Sequence, residues 1–143
     1  SYSATMRYNR ISRNGLVNTP PWAYGAGIQV AHSSDVEVYG NVVEENYNGI
    51  TVILQERGSG EYGEWKPRNV TVRDNDVSMR QGFTGAVQDN GDNTLFSARG
   101  ISFQGNDYVV APQLKVFAWA NSLRSWEEWR SFGNDTTGTI VYR

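Results

Sequence analysis

An alternation of apolar and polar residues occurs four times along the chain, and in each copy it leads to an asparagine. In the copy at residues 36–43, VEVYGNVV, the apolar side chains of Val36 and Val38 alternate with polar ones before Asn41. Because successive side chains of a strand point to opposite faces, this pattern predicts a strand with one buried face. Asparagine tolerates left-handed backbone, so each copy should end in a turn.

The same unit returns at a regular interval. The other copies lie at residues 4–11, 70–77 and 101–108, so that the asparagines are 31 to 34 residues apart. A second motif, GIQV at residues 27–30, returns 22 residues later as GITV at residues 49–52. Strands that recur in this way indicate one structural unit stacked on itself. The sequence therefore predicts an all-β fold, a right-handed parallel β-helix of about four to five coils, with the asparagine amides stacked as a ladder.

The end of the chain has a different pattern. Ser125 and Glu128 have the spacing of a capping box, and aromatic residues including Trp129 follow at helical spacing. A short aromatic helix on the last coil would cover the open end of the core. We therefore divide the single domain into β-helix coils at residues 1–119 and a C-terminal, helix-containing cap at residues 120–143.

Composition narrows the classes of function. The chain has 143 residues and a formal net charge of −2, so it lacks the basic excess of a nucleic-acid surface. It contains no cysteine, which excludes disulfides and thiolate metal sites. No apolar run approaches the ~20 residues that a membrane-spanning helix needs. The repeat begins by Ala4 with no capping element before it, so we expect upstream coils or another chain to cover the N-terminal end.

The repeated pattern, GIxV followed by xVxVxxNxV, resembles the right-handed parallel β-helix proteins of bacteria in the pectate-lyase-like superfamily. The resemblance covers roughly residues 1–119, and the tail FAW…SWEEWRSFGNDTTG is similar to the C-terminal ends of bacterial members. It implies a secreted or cell-surface protein that is a polysaccharide lyase, hydrolase, epimerase or passive surface structure. The Asp clusters of pectate lyases and the Asn-Thr-Asp and Gly-His-Gly signatures of polygalacturonases are absent. The resemblance therefore indicates the fold more strongly than an activity.

Aromatic residues in loops are the main candidates for ligand binding. Five of them fall in predicted corners and loops and not at alternating core positions: Trp22, Tyr24, Tyr47, Tyr62 and Trp65. Exposed rings suit polysaccharides, because the apolar C–H faces of a sugar pack on a flat ring. The alternative is that the rings cover their own loops. Loops at residues 16–26 and 55–69 leave the stack about one coil apart, so we expect them to form the walls of one groove.

Charged residues near the second loop are candidates for catalysis. Glycoside hydrolysis needs two carboxylates roughly 5 to 10 Å apart, and Glu45 with Glu56 is the candidate pair. Arg57 and Lys66 are candidate bases for a lyase that removes a proton next to a uronate carboxylate. The alternative for the two glutamates is that they are solvated surface charges.

A metal ion is the one cofactor that the sequence leaves open. A lyase commonly uses calcium held by oxygen ligands, and Asp89 and Asp92 are the candidate ligands. Their segment, DNGDN, also has the composition of a simple turn. His32 is the only histidine, and it is either a general base or a corner residue that bonds to the backbone.

Two functions from different classes follow from these residues, and whether the chain is an enzyme stays open. The first is a glycan-binding or accessory module of a secreted or surface protein. The second is the C-terminal part of a polysaccharide lyase or glycoside hydrolase. A purely structural surface scaffold is a third possibility. They differ in whether two carboxylates, or a carboxylate with Arg57 or Lys66, converge in a groove.

Overall fold

The computed structural model describes residues 2–18, 20–112 and 115–143. The chain folds as an all-β parallel β-solenoid of about four turns, with one short α-helix near its C-terminus. The predicted parallel β-helix with a helix-containing end is confirmed.

Three sheets form the faces of the solenoid. Sheet A contains β1 (Ala4–Arg7), β4 (Ser34–Tyr39), β9 (Arg68–Arg73) and β12 (Ile101–Gln104). Sheet B contains β2 (Arg10–Ser12), β5 (Val42–Glu44), β10 (Asp76–Met79), β13 (Asp107–Val110) and β16 (Thr139–Tyr142). Sheet C contains β3 (Ala26–Ala31), β6 (Asn48–Leu54), β11 (Thr84–Gln88), β14 (Phe117–Trp119) and β15 (Ser122–Arg124). A hairpin of β7 (Ser59–Gly60) and β8 (Gly63–Glu64) projects from one corner, and a 3-10 helix (Asn93–Phe96) follows β11.

Equivalent residues of the repeat stack directly on one another. Val38 of β4 pairs in parallel register with Met6 of β1 and with Val72 of β9, and Val72 pairs with Phe103 of β12. Val38, Val72 and Phe103 are fully buried. The apolar residues of the alternation therefore face the interior in columns, as the pattern predicted.

The asparagines form the predicted amide ladder along one corner. Oδ1 of Asn41 accepts hydrogen bonds from the backbone N–H (3.0 Å) and Nδ2 (3.1 Å) of Asn9. The N–H and Nδ2 of Asn41 donate in turn to Oδ1 of Asn75 at 3.0 Å each, and Nδ2 also donates to the Met6 carbonyl. The same pattern joins Asn75 to Asn106. The ladder thus has a direction, because each amide oxygen accepts from the preceding coil.

Asp135 ends this ladder. Its Oδ1 accepts from the N–H and Nδ2 of Asn106, both at 2.9 Å. Its Oδ2 accepts from the Tyr108 hydroxyl (2.7 Å) and from Trp129 Nε1 (2.9 Å). An ionised carboxylate accepts at both oxygens and has nothing to donate. Asp135 therefore satisfies the last rung without requiring a further coil beyond it.

The helix α1 (Trp126–Ser131) covers the C-terminal end of the core. The predicted capping box is present, because Ser125 Oγ accepts from the Glu128 N–H and Glu128 Oε1 accepts from the Ser125 N–H. Trp129 is fully buried and stacks on Phe117 with ring centroids 4.9 Å apart. Its ring also lies 5.0 Å from Phe103, edge to face. The helix thus places an aromatic layer over the last coil.

The buried Tyr108 gives the fold a predicted sensitivity to alkali. Burial, followed by the neighbouring Asp135 carboxylate, raises the pKa of Tyr108 well above its ordinary value of 10.0. An acid whose pKa rises on folding contributes stability that is complete below the unfolded pKa and is lost as pH rises above it. We expect the free energy of unfolding to fall above about pH 10, and to fall less steeply in Tyr108→Phe. Urea titrations at stepped pH measure this, with Tyr62→Phe as the exposed control. An equally steep fall in Tyr108→Phe would contradict it.

The N-terminal end of the solenoid is open among the described residues. β1, β2 and β3 are the edge strands of their sheets at this end. Met6 is 36% exposed and Tyr8 is 73% exposed. That upstream coils or another chain cover this end stays a prediction.

Candidate functional site

The outward face of sheet C is partly covered by the loop that contains Trp22. All seven residues of β6 are buried, including those that face away from the core. Thr51 Oγ1 donates to the Ala23 carbonyl (3.3 Å). Asn48 Nδ2 donates to the carbonyls of Tyr24 (2.7 Å) and Trp22 (3.3 Å). Side chains of the rigid strand therefore hold the backbone of the loop in place.

This loop presents two of the predicted binding aromatics side by side. The backbone N–H of Tyr24 donates to the Pro21 carbonyl (3.2 Å), and Trp22 within this turn has a φ of +54°. A bulky residue rarely adopts such a φ, and it does so where the surrounding structure imposes it. The rings of Trp22 and Tyr24 lie 6.0 Å apart, edge to face, and Trp22 is 36% exposed. The Tyr24 hydroxyl accepts from Gln55 Nε2 at 3.4 Å.

Trp22 borders a groove on the outward face of sheet C, with a volume of about 320 Å³. The main residues of this sheet C groove are Trp22, Phe83, Val87, Ala118, Asn121 and Leu123. Leu123 belongs to β15, which pairs antiparallel with β14 and places Leu123 opposite Ala118. The volume lies at the lower end of the roughly 300–1,000 Å³ that is typical of ligand sites.

The polar groups of the groove are neutral amides and a hydroxyl. Gln88 Nε2 donates to Asn121 Oδ1 (2.9 Å), and Asn121 Nδ2 donates to Asn93 Oδ1 (2.8 Å). Ser122 also lines the groove. Each amide has two donor hydrogens and two acceptor lone pairs. Gln88 Nε2 also donates to Asn93 Oδ1 (3.4 Å), and Gln88 Oε1 accepts from the Gly91 N–H (2.6 Å), so Gln88 keeps one acceptor lone pair. Asn121 keeps one donor and one acceptor. Within the described parts of the chain, the lining contains no charged side chain.

Tyr62 and Trp65 lie apart from this groove, on the β7–β8 hairpin. Trp65 is 40% exposed and packs against its own hairpin, since its Nε1 is 2.7 Å from the position that a Cβ on Gly60 would take. Tyr62 is 75% exposed and lies edge-on to the Tyr2 ring at 5.5 Å. The Tyr2 hydroxyl donates to the Gly63 carbonyl (2.9 Å). These rings therefore form a second cluster, which covers the hairpin.

Tyr47 lies at the corner between β5 and β6 and is half-buried. Its N–H donates to the Asn14 carbonyl at 2.9 Å. Among the described residues, no ring contact links Tyr47 to the other candidates, and none links Trp22 or Tyr24 to Tyr62 or Trp65. The structure thus brings Trp22 and Tyr24 into contact and places Tyr62 and Trp65 at one hairpin. It does not show one groove formed by all five aromatics.

The candidate carboxylates do not converge. Glu45 lies at the corner before β6, 3.8 Å from Arg13, and Glu56 lies at the corner after β6, 3.0 Å from Lys66. The seven residues of β6 lie between them, and an extended strand of that length spans about 20 Å. That distance exceeds the roughly 5 to 10 Å of a glycosidase pair.

The raised pKa of Lys66 does not suit a base at neutral pH. Its hydrogen bond to Glu56 raises the pKa of Lys66, and the same bond lowers the pKa of Glu56. Both groups are therefore charged near pH 7, whereas a catalytic lysine needs a pKa brought down toward the working pH. Arg57 Nη2 donates to Gln55 Oε1 (3.0 Å).

The two candidate calcium ligands already have other partners. Asp89 Oδ2 accepts from Gln55 Nε2 at 2.8 Å. Asp92 caps the 3-10 helix by accepting from the Thr94 N–H (3.0 Å), and it pairs with Arg99 at 3.1 Å. In the ranges that the structure describes, no three His, Cys, Asp or Glu side chains come together to hold a metal ion. Calcium binding stays a prediction.

His32 lies at the corner after β3, with a φ of +56°. Its Nδ1 is buried and has no hydrogen-bond partner among the described residues. Burial, followed by the charge of Arg57, lowers the pKa of His32, so the imidazole is neutral at pH 7. Nδ1 therefore has no carboxylate bonded to it among the described residues, and the nearby Asp89 carboxylate only partly offsets the lowering of the His32 pKa.

Comparison with protein-family models, with curated proteins and with solved structures finds no match to this chain. The fold defines the protein as a parallel β-solenoid. Its membership of the pectate-lyase-like superfamily and its bacterial origin stay predictions. Within the described ranges, no helix is long and apolar enough to cross a membrane.

Proposed function

We propose that this β-solenoid is a glycan-binding module and that a saccharide lies in the sheet C groove against the Trp22 ring. The observation that carries the proposal is a partly exposed indole, on a turn whose backbone is bonded to β6, beside a groove lined by amides that keep hydrogen-bonding capacity. Sugar rings combine apolar C–H faces with hydroxyl groups, and this combination of an aromatic ring with amides complements both. A secreted or cell-surface location, where polysaccharides occur, is part of the proposal.

The fixed loop supports binding because it lowers the entropy cost. Asn48 and Thr51, both fully buried on β6, hold three successive carbonyls of the loop, from Trp22 to Tyr24. Ordering a mobile segment at an interface costs free energy that is subtracted from the affinity. A turn whose backbone is already bonded to the strand avoids part of that cost.

The lining of the groove favours binding over catalysis. Its described residues include no carboxylate, lysine or arginine. The catalytic candidates lie outside this lining and have other partners: Glu56 pairs with Lys66, Glu45 with Arg13, and Arg57 donates to Gln55. The proposal is therefore a binding module and not the catalytic part of a lyase or hydrolase.

Replacing Trp22 by alanine tests the proposal directly. A glycan array identifies a ligand, and calorimetric titration then compares the wild type with Trp22→Ala. We expect binding to weaken about tenfold, which is about 1.4 kcal/mol, in line with the contribution of aromatic contacts.

Trp65→Ala is the matched control. Trp65 has nearly the same exposure as Trp22 (40% against 36%), but it packs on the β7–β8 hairpin. We expect Trp65→Ala to leave the affinity unchanged. A ligand whose affinity depends on Trp65 and not on Trp22 would refute the groove, and no glycan binding at all would favour a purely structural scaffold.

A further inference from the structure

We infer that the saccharide bound in the sheet C groove is uncharged, so that the protein selects neutral glycans over uronate polymers. This inference rests on the proposed function and specifies its ligand class. Its basis is that the described lining consists of apolar, aromatic, amide and hydroxyl side chains, without a single charged group. A uronate carboxylate placed there would lose hydration without gaining a cationic partner, which is unfavourable.

The cation nearest to the groove in sequence is already occupied. Arg124 follows Leu123 in β15, but its Nε donates to the Trp119 carbonyl (2.9 Å) and its Nη2 to the Ala120 carbonyl (3.2 Å). Its Nη1 also lies 3.7 Å from Glu128 Oε2. The Arg124 guanidinium therefore stabilises the β14–β15 hairpin and contacts Glu128 of the helix α1. Breaking these contacts to reach a ligand would cost free energy.

The charges beyond Tyr24 cancel each other. Arg57 Nη2 donates to Oε1 of Gln55, and Gln55 Nε2 donates to Asp89 Oδ2. One amide thus joins a cation to an anion, and the same amide contacts the Tyr24 hydroxyl. The group formed by Arg57, Gln55 and Asp89 beside Tyr24 therefore has no net charge that would attract a polyanion.

A second cavity shows that the protein also has a groove of a different character. It has a volume of about 510 Å³ and lies at the corner after sheet B. Its lining includes Glu44, Glu45, Arg80 and Arg143, and it contains no aromatic residue. The sheet C groove therefore has an aromatic ring and no charged side chain, whereas the second groove has charged side chains and no aromatic ring. A ligand that stacks on Trp22 consequently meets no ionic group.

Hydroxyl recognition follows from the same residues. Asn121 and Ser122 offer donors and acceptors without charge, and Gln88 keeps one acceptor lone pair. These groups match a sugar hydroxyl, which itself both donates and accepts. A neutral oligosaccharide can thus satisfy these groups while one face of a ring lies on Trp22.

The test compares neutral and acidic oligosaccharides of equal length. Cello-, xylo- and manno-oligosaccharides are titrated against the wild-type protein, and oligogalacturonate is titrated under the same conditions. Each titration is run in about 0.1 M and about 1 M NaCl, where the Debye length is ~10 Å and ~3 Å respectively. We expect a neutral ligand to bind equally at both salt concentrations, and oligogalacturonate to bind at least tenfold more weakly.

The variant Ser122→Lys tests whether a positive charge in the groove creates binding to an acidic glycan. It adds one cation at an exposed position of the groove, and we expect it to acquire binding to oligogalacturonate that disappears at high salt. Ser102→Lys adds the same charge on sheet A, away from the groove, and should acquire none.

The outcomes separate the inference from the function on which it rests. Oligogalacturonate that binds the wild type as tightly as any neutral ligand, with salt-sensitive affinity that Trp22→Ala weakens, would overturn the neutral-ligand inference and leave the glycan-binding function standing. Failure of every neutral and acidic glycan to bind would overturn the proposed function itself, and the inference with it.

Discussion

Val38→Asp is expected to prevent the solenoid from folding. Val38 is fully buried and stacks between Met6 and Val72 in the interior column of sheet A. A carboxylate there would be buried without a partner, at a cost of several kcal/mol. Domains of this size have a total stability of only about 5–15 kcal/mol. We therefore expect loss of the cooperative thermal transition measured by circular dichroism.

Gln29→Asp is the matched control for this prediction. Gln29 is an exposed, outward-facing residue of β3, between the buried Ile28 and Val30. The same carboxylate should be solvated there and should change the melting temperature little. An unchanged transition in Val38→Asp would show that the interior column is not the core of the fold.

Asp135→Asn is expected to destabilise the protein although the two side chains have nearly the same shape. Oδ2 of Asp135 accepts from both Trp129 Nε1 and the Tyr108 hydroxyl. An amide NH₂ at that position would face the indole N–H, which can only donate. A buried donor without an acceptor costs about 1–3 kcal/mol. Asp135→Ala should cost more, because it removes the acceptor of the Asn106 rung as well.

The measurement for Asp135 is the free energy of unfolding from denaturant titration. Asp76→Asn is the control, because it removes the same charge at an exposed position of β10. We expect Asp76→Asn to change stability by less than about 0.5 kcal/mol. Equal stabilities for the two asparagine variants would show that the carboxylate does not end the ladder.

The coils could be predicted because the sequence pattern repeats once in every turn of the solenoid. Alternation determines which residues face inward, and the asparagine of each turn bonds to its equivalent in the next coil. A shorter ladder was not predicted: Asn46 Oδ1 accepts from the N–H (2.9 Å) and Nδ2 (3.0 Å) of Asn14. Among the described residues this ladder joins two coils. Two copies are too few to stand out as a repeat in the sequence.

Asp135 could not be predicted from the repeat. It lies 29 residues after Asn106, whereas the asparagines are 31 to 34 residues apart. The helix α1 interrupts the period, and the residue type changes because the last rung needs only an acceptor. The tertiary contacts with Tyr108 and Trp129 identify its role, and no local pattern encodes them.

The groove depends on contacts that sequence does not show. Trp22 and Trp65 both occur in loops rich in turn-forming residues, so composition does not distinguish them. The bonds from Asn48 hold the Trp22 loop across sheet C, whereas Gly58 and Gly60 provide the surface on which Trp65 lies. The opposite wall contains Leu123 of β15, an antiparallel strand that breaks the parallel repeat. Similarly, Glu45 and Glu56 are close in sequence but lie at opposite ends of β6.

The indole N–H resonances provide the most direct test of where a glycan binds. The chain has five tryptophans, and each gives one indole signal in a ¹H–¹⁵N correlation spectrum, assignable by single Trp→Phe variants. Titration with the glycan that the array identifies should shift the Trp22 signal and leave those of Trp65 and the buried Trp129 in place. A shift of the Trp65 signal with an unmoved Trp22 signal would contradict binding in the sheet C groove.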